Sequence, residues 1–258
     1  MKLKLFEKKL KHKSFVSGHN EIEKTLHKNL EFTATEQYKL IRANLDFTLP
    51  EDEKCPVIGV TSSKRGEGKS TTAINLSYVL AEKGSKVLLI DGDLRIPSIA
   101  KKLDIESSPG LSDLLRGKGT QKTGIKSYLL DKWYVLPSGD IPPNPSELLG
   151  SARMEKTLAK LRGIFDYIVI DLPPVNIVSD AVSISNFISG MIVVVREDYT
   201  EKKDLERCFR QLKLSNANIL GCVMNESKLD GGSYGRYKKY KYYKYYRNYQ
   251  SDPEGAEK

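Results

Sequence analysis

Short apolar runs alternate along the chain with stretches of helical spacing. The runs at residues 56–61, 86–90, 133–136, 167–170, 191–195 and 219–224 are bounded by polar segments and are the length of buried strands. Between them, 69–82, 146–161 and 202–214 carry apolar positions three and four apart, which predicts helices. A further helix is expected upstream. Tyr38, Ile41 and Leu45 recur on one face there, Thr33 and Glu36 have capping-box spacing, and Pro50 with the acidic run 51–53 closes it. Strands that alternate with helices predict an α/β domain: a mostly parallel sheet flanked by helices on both faces. In such sheets active sites lie beyond the carboxyl ends of the strands, so chemistry is sought there. Three regions follow: an arm over 1–32, a domain over 33–228 and a tail over 229–258.

Charge separates the ends from the middle. Of a net +9 over 258 residues, six lysines fall in the first thirteen positions and six Lys or Arg in 231–250, while the middle is nearly balanced. The first thirteen residues interleave those lysines with Leu3, Leu5, Phe6 and Leu10. They read either as a frayed terminus or as a short basic amphipathic helix on a membrane surface. No apolar run approaches the roughly 20 residues of a membrane helix, and no signal peptide is visible, so a cytoplasmic protein is expected. Cys55, Cys208 and Cys222 are odd in number and far apart, which excludes a disulfide framework or a paired zinc site.

The tail concentrates one residue type. Tyr234, Tyr237, Tyr240, Tyr242, Tyr243, Tyr245, Tyr246 and Tyr249 are eight of the fourteen tyrosines, interleaved with Lys and Arg and free of acids over 231–250. Glycines and self-repelling charge prevent such a segment from folding alone. It reads as a set of phosphorylation acceptors, as an aromatic and basic arm for single-stranded nucleic acid, or as a solvated terminus.

After the first strand comes Ser63-Lys64-Arg65-Gly66-Glu67-Gly68-Lys69-Ser70-Thr71, leading into a helix. Strand, glycine loop and helix together form a phosphate-binding loop, in which successive N–H groups cradle a triphosphate. Ser63 replaces the usual first glycine. Ser63, Lys64, Gly66, Glu67, Gly68, Lys69, Ser70 and Thr71 are the ATP-binding candidates. Lys69 is placed to reach the β and γ phosphates, and Ser70 to hold Mg²⁺. Two further strands end in carboxylates, one in Asp91-Gly92-Asp93-Leu94-Arg95 and the other in Asp171-Leu172-Pro173-Pro174. Any one of these acids could be a turn former or helix cap. Beside a nucleotide loop, Asp171 suits magnesium in the Walker B role. A phenol with pKa near 10 profits from a base on transfer, and Asp91 is the candidate, also near the metal, with Asp93 assisting. Arg95 either orients this loop by pairing with an acid or forms a surface ion pair. Asn225, after the last strand, is placed against the adenine ring or in a turn.

The motifs SSKRGEGKST (62–71), LLIDGDLR (88–95) and IVIDLPP (168–174), with the tyrosine cluster, resemble the bacterial tyrosine kinases of capsule and exopolysaccharide operons. The segments GLSDLLRG (110–117) and PPNPSELL (142–149) are similar to that family as well. The resemblance implies a P-loop NTPase fold and an ATP- and Mg²⁺-dependent protein-tyrosine kinase that autophosphorylates its tail. It implies a cytoplasmic catalytic subunit recruited to the inner face of the membrane by a membrane-anchored activator of polysaccharide co-polymerase type. A protein-tyrosine phosphatase and a ring-like homo-oligomer are implied too, and no nucleic acid. The ring's helix motif, Glu-x-x-Arg-x-x-Arg, corresponds to Glu36, Lys39 and Arg42, with lysine replacing the first arginine and losing its bidentate fork.

Two rivals remain at this level. A partition-type ATPase would use Lys64 as a signature lysine reaching across a dimer, but needs no tyrosine cluster. A P-loop ATPase with a nucleic-acid-binding tail would stack bases on the tyrosines.

Overall fold

A computed structural model describes residues 32–118 and 124–227. The reading of the first thirteen residues as an amphipathic helix and all eight acceptor tyrosines lie outside the described residues.

All six apolar runs form strands: β1 (Val57–Ser62), β2 (Val87–Asp91), β4 (Leu130–Leu136), β5 (Tyr167–Asp171), β6 (Gly190–Arg196) and β7 (Ile219–Asn225). The sequence reading missed β3 (Lys126–Tyr128), a three-residue, half-buried edge strand with no apolar run to announce it. Strand order is β3-β4-β2-β5-β1-β6-β7. Every neighbouring pair is parallel except β3 with β4, so the carboxyl ends of six strands share one edge of the sheet.

Alternation along the strands builds a core on each face. Ile58, Val60, Val87, Leu89, Val169 and Val194 face one way. They pack against α1 (Phe32–Thr48), α2 (Lys69–Glu82) and α3 (Ile99–Leu103). Val57, Leu88, Ile90, Ile168, Ile170 and Val193 face the other way. There they meet α4 (Leu111–Arg116), α5 (Pro145–Leu149), α6 (Ala152–Arg162), α7 (Asp180–Ile184) and α8 (Lys202–Leu214). α2 is buried on nearly all sides between the sheet and α1. Trp133 of β4 fixes it by donating its indole N–H to Ser77 Oγ at 3.0 Å and meeting Tyr78 edge-on at 5.4 Å.

Two helix expectations change. The segment 146–161 is two helices, because Gly150 ends α5 and Ser151 Oγ caps α6 by accepting from Met154 N at 3.2 Å. Thr33 lies inside α1 rather than at its cap, and Glu36 accepts from Lys39 Nζ at 3.0 Å, so the capping-box reading fails.

Candidate active site

β1 delivers the chain into the loop 63–68, and α2 begins at Lys69. Gly66 and Gly68 have φ of 82° and 93°, in the left-handed region that a side chain disfavours. At Gly68 space imposes the same choice, since a Cβ would lie 2.0 Å from Asn225 Nδ2. No side chain caps α2, so the N–H groups of its first turn keep their capacity for an anion.

Parallel pairing sets Asp91 beside Asp171 at the carboxyl ends of β2 and β5, next to β1. Lys69 Nζ points into this cluster, 2.9 Å from Asp93 Oδ2 and 3.4 Å from both Asp171 Oδ1 and Ser70 Oγ. Burial works against the Lys69 ammonium, yet Asp171 and Asp93 beside it hold its pKa above the ordinary lysine value. Burial likewise pushes the Asp171 carboxyl up, with Lys69 and Ser70 opposing. Asp171 Oδ2 is buried and has no hydrogen-bond partner among the described residues. An orphaned carboxylate oxygen beside a serine hydroxyl is the hard-oxygen pair a nucleotide-borne Mg²⁺ takes, so the residues present fit that ion.

Asp91, the candidate base, is held by backbone amides. Its Oδ2 accepts from Ser98 N and Ile99 N at 3.1 and 3.0 Å, and its Oδ1 accepts from Asp93 N at 3.3 Å. Both oxygens are engaged and the side chain is fully buried, so Asp91 shapes the loop 92–99. Burial beside Asp171 pushes its pKa up to about 8. Asp93 is also buried, and it is the acid of this pair that lines the cleft between the loops after β2 and β5. Its Oδ1 accepts from Ile96 N at 3.1 Å and its Oδ2 faces Lys69. Arg95 orients this loop: its Nε and Nη2 donate to the two oxygens of buried Asp180 at 3.0 Å each, and Ser146 Oγ donates to the same carboxylate.

Four side chains of the nucleotide-loop set are engaged within the chain. Glu67 is fully buried; its carboxylate accepts from Ser63 Oγ at 2.8 Å, from Lys64 N at 2.9 Å and from Thr200 Oγ1. Glu67 and Ser63 therefore brace the loop from within. Lys64 turns away from the phosphate cradle, 3.4 Å from Asp204 and 4.5 Å from the ring centroid of Tyr199. Asn225 donates to the Glu67 carbonyl at 3.1 Å, so its amide nitrogen supports the loop rather than reading a base. Tyr199 completes the brace by donating its hydroxyl to Arg65 O at 3.0 Å, and Arg196 donates to Gly66 O at 3.2 Å. Sequence reasoning missed Arg196, Tyr199, Thr200 and Asp180. Their only signal was position: Arg196 ends β6, Tyr199 and Thr200 follow it, and Asp180 opens α7 after β5.

The triad assigned to a subunit interface is engaged within the chain. Lys39 pairs with Glu36, and Arg42 Nη1 donates to Val79 O at 2.6 Å, clamping α1 to α2.

The chain matches the AAA domain family over residues 55–219. It is 36% identical over 178 residues to the tyrosine-protein kinase YwqD of Bacillus subtilis, covering 69% of this chain and 75% of that protein. It is 37% identical over 186 residues to the tyrosine-protein kinase CpsD of Streptococcus pneumoniae serotype 4, with 71% and 81% covered. Among solved structures, the chimerical protein CapA2B2 superposes with a TM-score of 0.75 at 32% identity, over 82% of this chain and 92% of that one.

Proposed function

Because the chain belongs to the bacterial P-loop tyrosine-protein kinases, we propose that it transfers the γ-phosphoryl group of ATP to its own tyrosine cluster in capsular or exopolysaccharide synthesis. The acceptors are a subset of Tyr234, Tyr237, Tyr240, Tyr242, Tyr243, Tyr245, Tyr246 and Tyr249. One observation carries the reading: Lys69 sits between Asp93 and Asp171 at the start of an uncapped, buried helix.

The two carboxylates hold the Lys69 ammonium charged inside the site, so a triphosphate meets a cation already in position. The loop amides and the first turn of α2 cradle the phosphates without reorganising, because Glu67 and Asn225 brace the loop from beneath. Ser70 and Asp171 would hold the Mg²⁺ that ATP brings, which neutralises phosphate charge in the transition state. The phenol oxygen of the acceptor forms a bond to the γ-phosphorus as the bond to the ADP oxygen breaks. Asp93, on the cleft side of Lys69, receives the phenolic proton, and Asp91 and Arg95 keep its loop in place.

As family resemblance implies, the chain acts as the catalytic subunit of a membrane-anchored activator and is reset by a protein-tyrosine phosphatase. It assembles with copies of itself. Among the described residues no helix is long and apolar enough to cross a membrane. Each phosphate adds about −1.5 to −2 at neutral pH, so four on the tail at least cancel its six cations and loosen the assembly.

The test is mass spectrometry of the full chain after incubation with Mg-ATP and the activating segment. Phosphotyrosine is expected within 234–249, and Lys69→Met or Asp171→Asn should lower it by about a hundredfold or more. An unmodified tail in the parent chain, or normal labelling in both variants, sinks the assignment.

A further inference from the structure

Between α8 and the segment 175–182, which leads into α7, lies a groove of about 410 Å³. Val175 and Val182 give it an apolar wall, and Ile177 and Leu214, 52% and 79% exposed, carry that apolar surface out to solvent. Its lining holds one charge, the guanidinium of Arg207, and no acid. Arg210 stands three residues further along, on the same side of α8 and also exposed. Neither arginine has a hydrogen-bond or ion-pair partner among the described residues, whereas Lys202 and Lys203 on the same helix are paired with Glu206 and Glu201.

A polar atom completes the lining. Asn176 is oriented by its two donors: its backbone N–H reaches Ser63 O at 3.3 Å and its Nδ2 reaches Asp204 O at 2.8 Å. Its Oδ1 is then left as an acceptor, buried without a partner among the described residues. Apolar walls, two unpaired cations and an orphaned acceptor together specify an occupant. Inorganic phosphate and phosphatidylglycerol bring anionic oxygens but no N–H, whereas a peptide backbone brings an N–H at every residue other than proline. Sign excludes the chain's own ends. The first thirteen residues carry six lysines and one acid, and 231–250 carries six cations and no acid, so Arg207 and Arg210 repel both.

The groove adjoins the chemistry. Ile177 also lines the cleft that Asp93 borders, and Asn176 and Asp204 both touch the nucleotide loop, through Ser63 and Lys64. Resting on the kinase reading, we infer that this groove docks an acidic segment with apolar side chains, belonging to a second protein that the enzyme phosphorylates in addition to its own tail. Its carboxylates pair with Arg207 and Arg210, its apolar side chains lie against Val175, Val182 and Leu214, and a backbone N–H meets Asn176. Contacts made away from the reacting atoms hold ground state and transition state alike, so docking lowers KM and leaves kcat unchanged.

The test uses the full-length chain with its eight tail tyrosines replaced by phenylalanine, and three probe peptides with one tyrosine each. The first carries glutamate and leucine in alternation beside the tyrosine, the second has lysine for every glutamate, and the third has serine for every leucine. With Mg-ATP, KM for the first should lie about tenfold below that for either of the others. Arg207→Glu combined with Arg210→Glu should raise KM for the acidic peptide about tenfold and make the lysine peptide the better substrate. kcat and the affinity for a fluorescent ATP analogue should stay within about twofold. The exchanged preference is a gain, which a misfolded variant cannot give. Equal KM for the three peptides, or an unaltered preference in the charge-reversed variant, overturns the proposal. So does binding to phosphatidylglycerol vesicles that is lost with the two arginines while the peptides are not distinguished, which assigns the groove to a membrane. If the parent chain phosphorylates no peptide, fluorescence anisotropy of the same peptides, labelled, with Mg-ADP present still decides the groove: tighter binding of the acidic peptide that reverses in the variant supports it, and equal binding overturns it. The kinase reading is decided separately, by labelling of the unsubstituted chain's own tail.

Discussion

Gly68 combines two independent demands. Its φ of 93° is strained for any side chain, and a Cβ would collide with the Asn225 amide that supports Glu67. Gly68→Ala should therefore weaken ATP binding about tenfold or more, part through backbone strain and part through the displaced amide. Asn225→Ala alone removes one hydrogen bond, worth about 1 kcal/mol, and should weaken binding only modestly. Combined, the two should be less than additive, since the second removes the clash the first creates. Calorimetric titration of the four proteins with ATP checks this, and strict additivity would mean the two residues do not meet. Glu67 has the same character of a residue whose function is to hold others. Sequence alone makes it a nucleotide contact, because it sits inside the motif. Burial turns its carboxylate inward, where it satisfies Ser63, a backbone N–H and Thr200.

At the scale of elements, α1 is the least committed helix. Only Thr35 and Leu45 of its seventeen residues are buried, so its attachment depends on few contacts. Arg42 supplies one of them by donating to the Val79 carbonyl of α2. Arg42→Ala should lower the stability of the isolated chain by about 1–2 kcal/mol, because it removes a charge-assisted hydrogen bond and leaves that carbonyl unpaired. Thermal unfolding at concentrations where the protein is monomeric measures it. If the variant melts like the parent and only its assembly changes, Arg42 belongs to a subunit interface, as its position in the helix motif suggests. α2 is the opposite case. It is buried nearly throughout, which fixes the direction in which its first turn points at the phosphate site.

For the whole molecule the open question is which copy donates and which accepts. The 24 positions from Asn225 to Tyr249 span about 80 Å when extended, so reach permits transfer within a chain or between chains. Mixing a Lys69→Met full-length chain with an active chain truncated before the tail should label the inactive partner, as transfer between copies requires; an unlabelled partner limits the reaction to one chain. The sequence by itself determined the parallel α/β frame, the nucleotide loop and the carboxylates at strand ends. These are local properties: apolar runs of strand length, glycines spaced for a turn, an acid directly after a strand. It also determined the tyrosine tail, which is pure composition. Tertiary structure decided which of those residues face the chemistry. Asp91 and Asp93 are two positions apart and chemically alike, yet backbone amides occupy both oxygens of one while the other borders Lys69. Lys64 and Lys69 lie in one motif, yet one is drawn off to Asp204 and Tyr199 and the other stands among the acids. The physical reason is that side-chain direction depends on partners far along the chain, such as Asp180, Thr200 and Asn225. Their meeting is set by strand order and burial, and no local pattern encodes it.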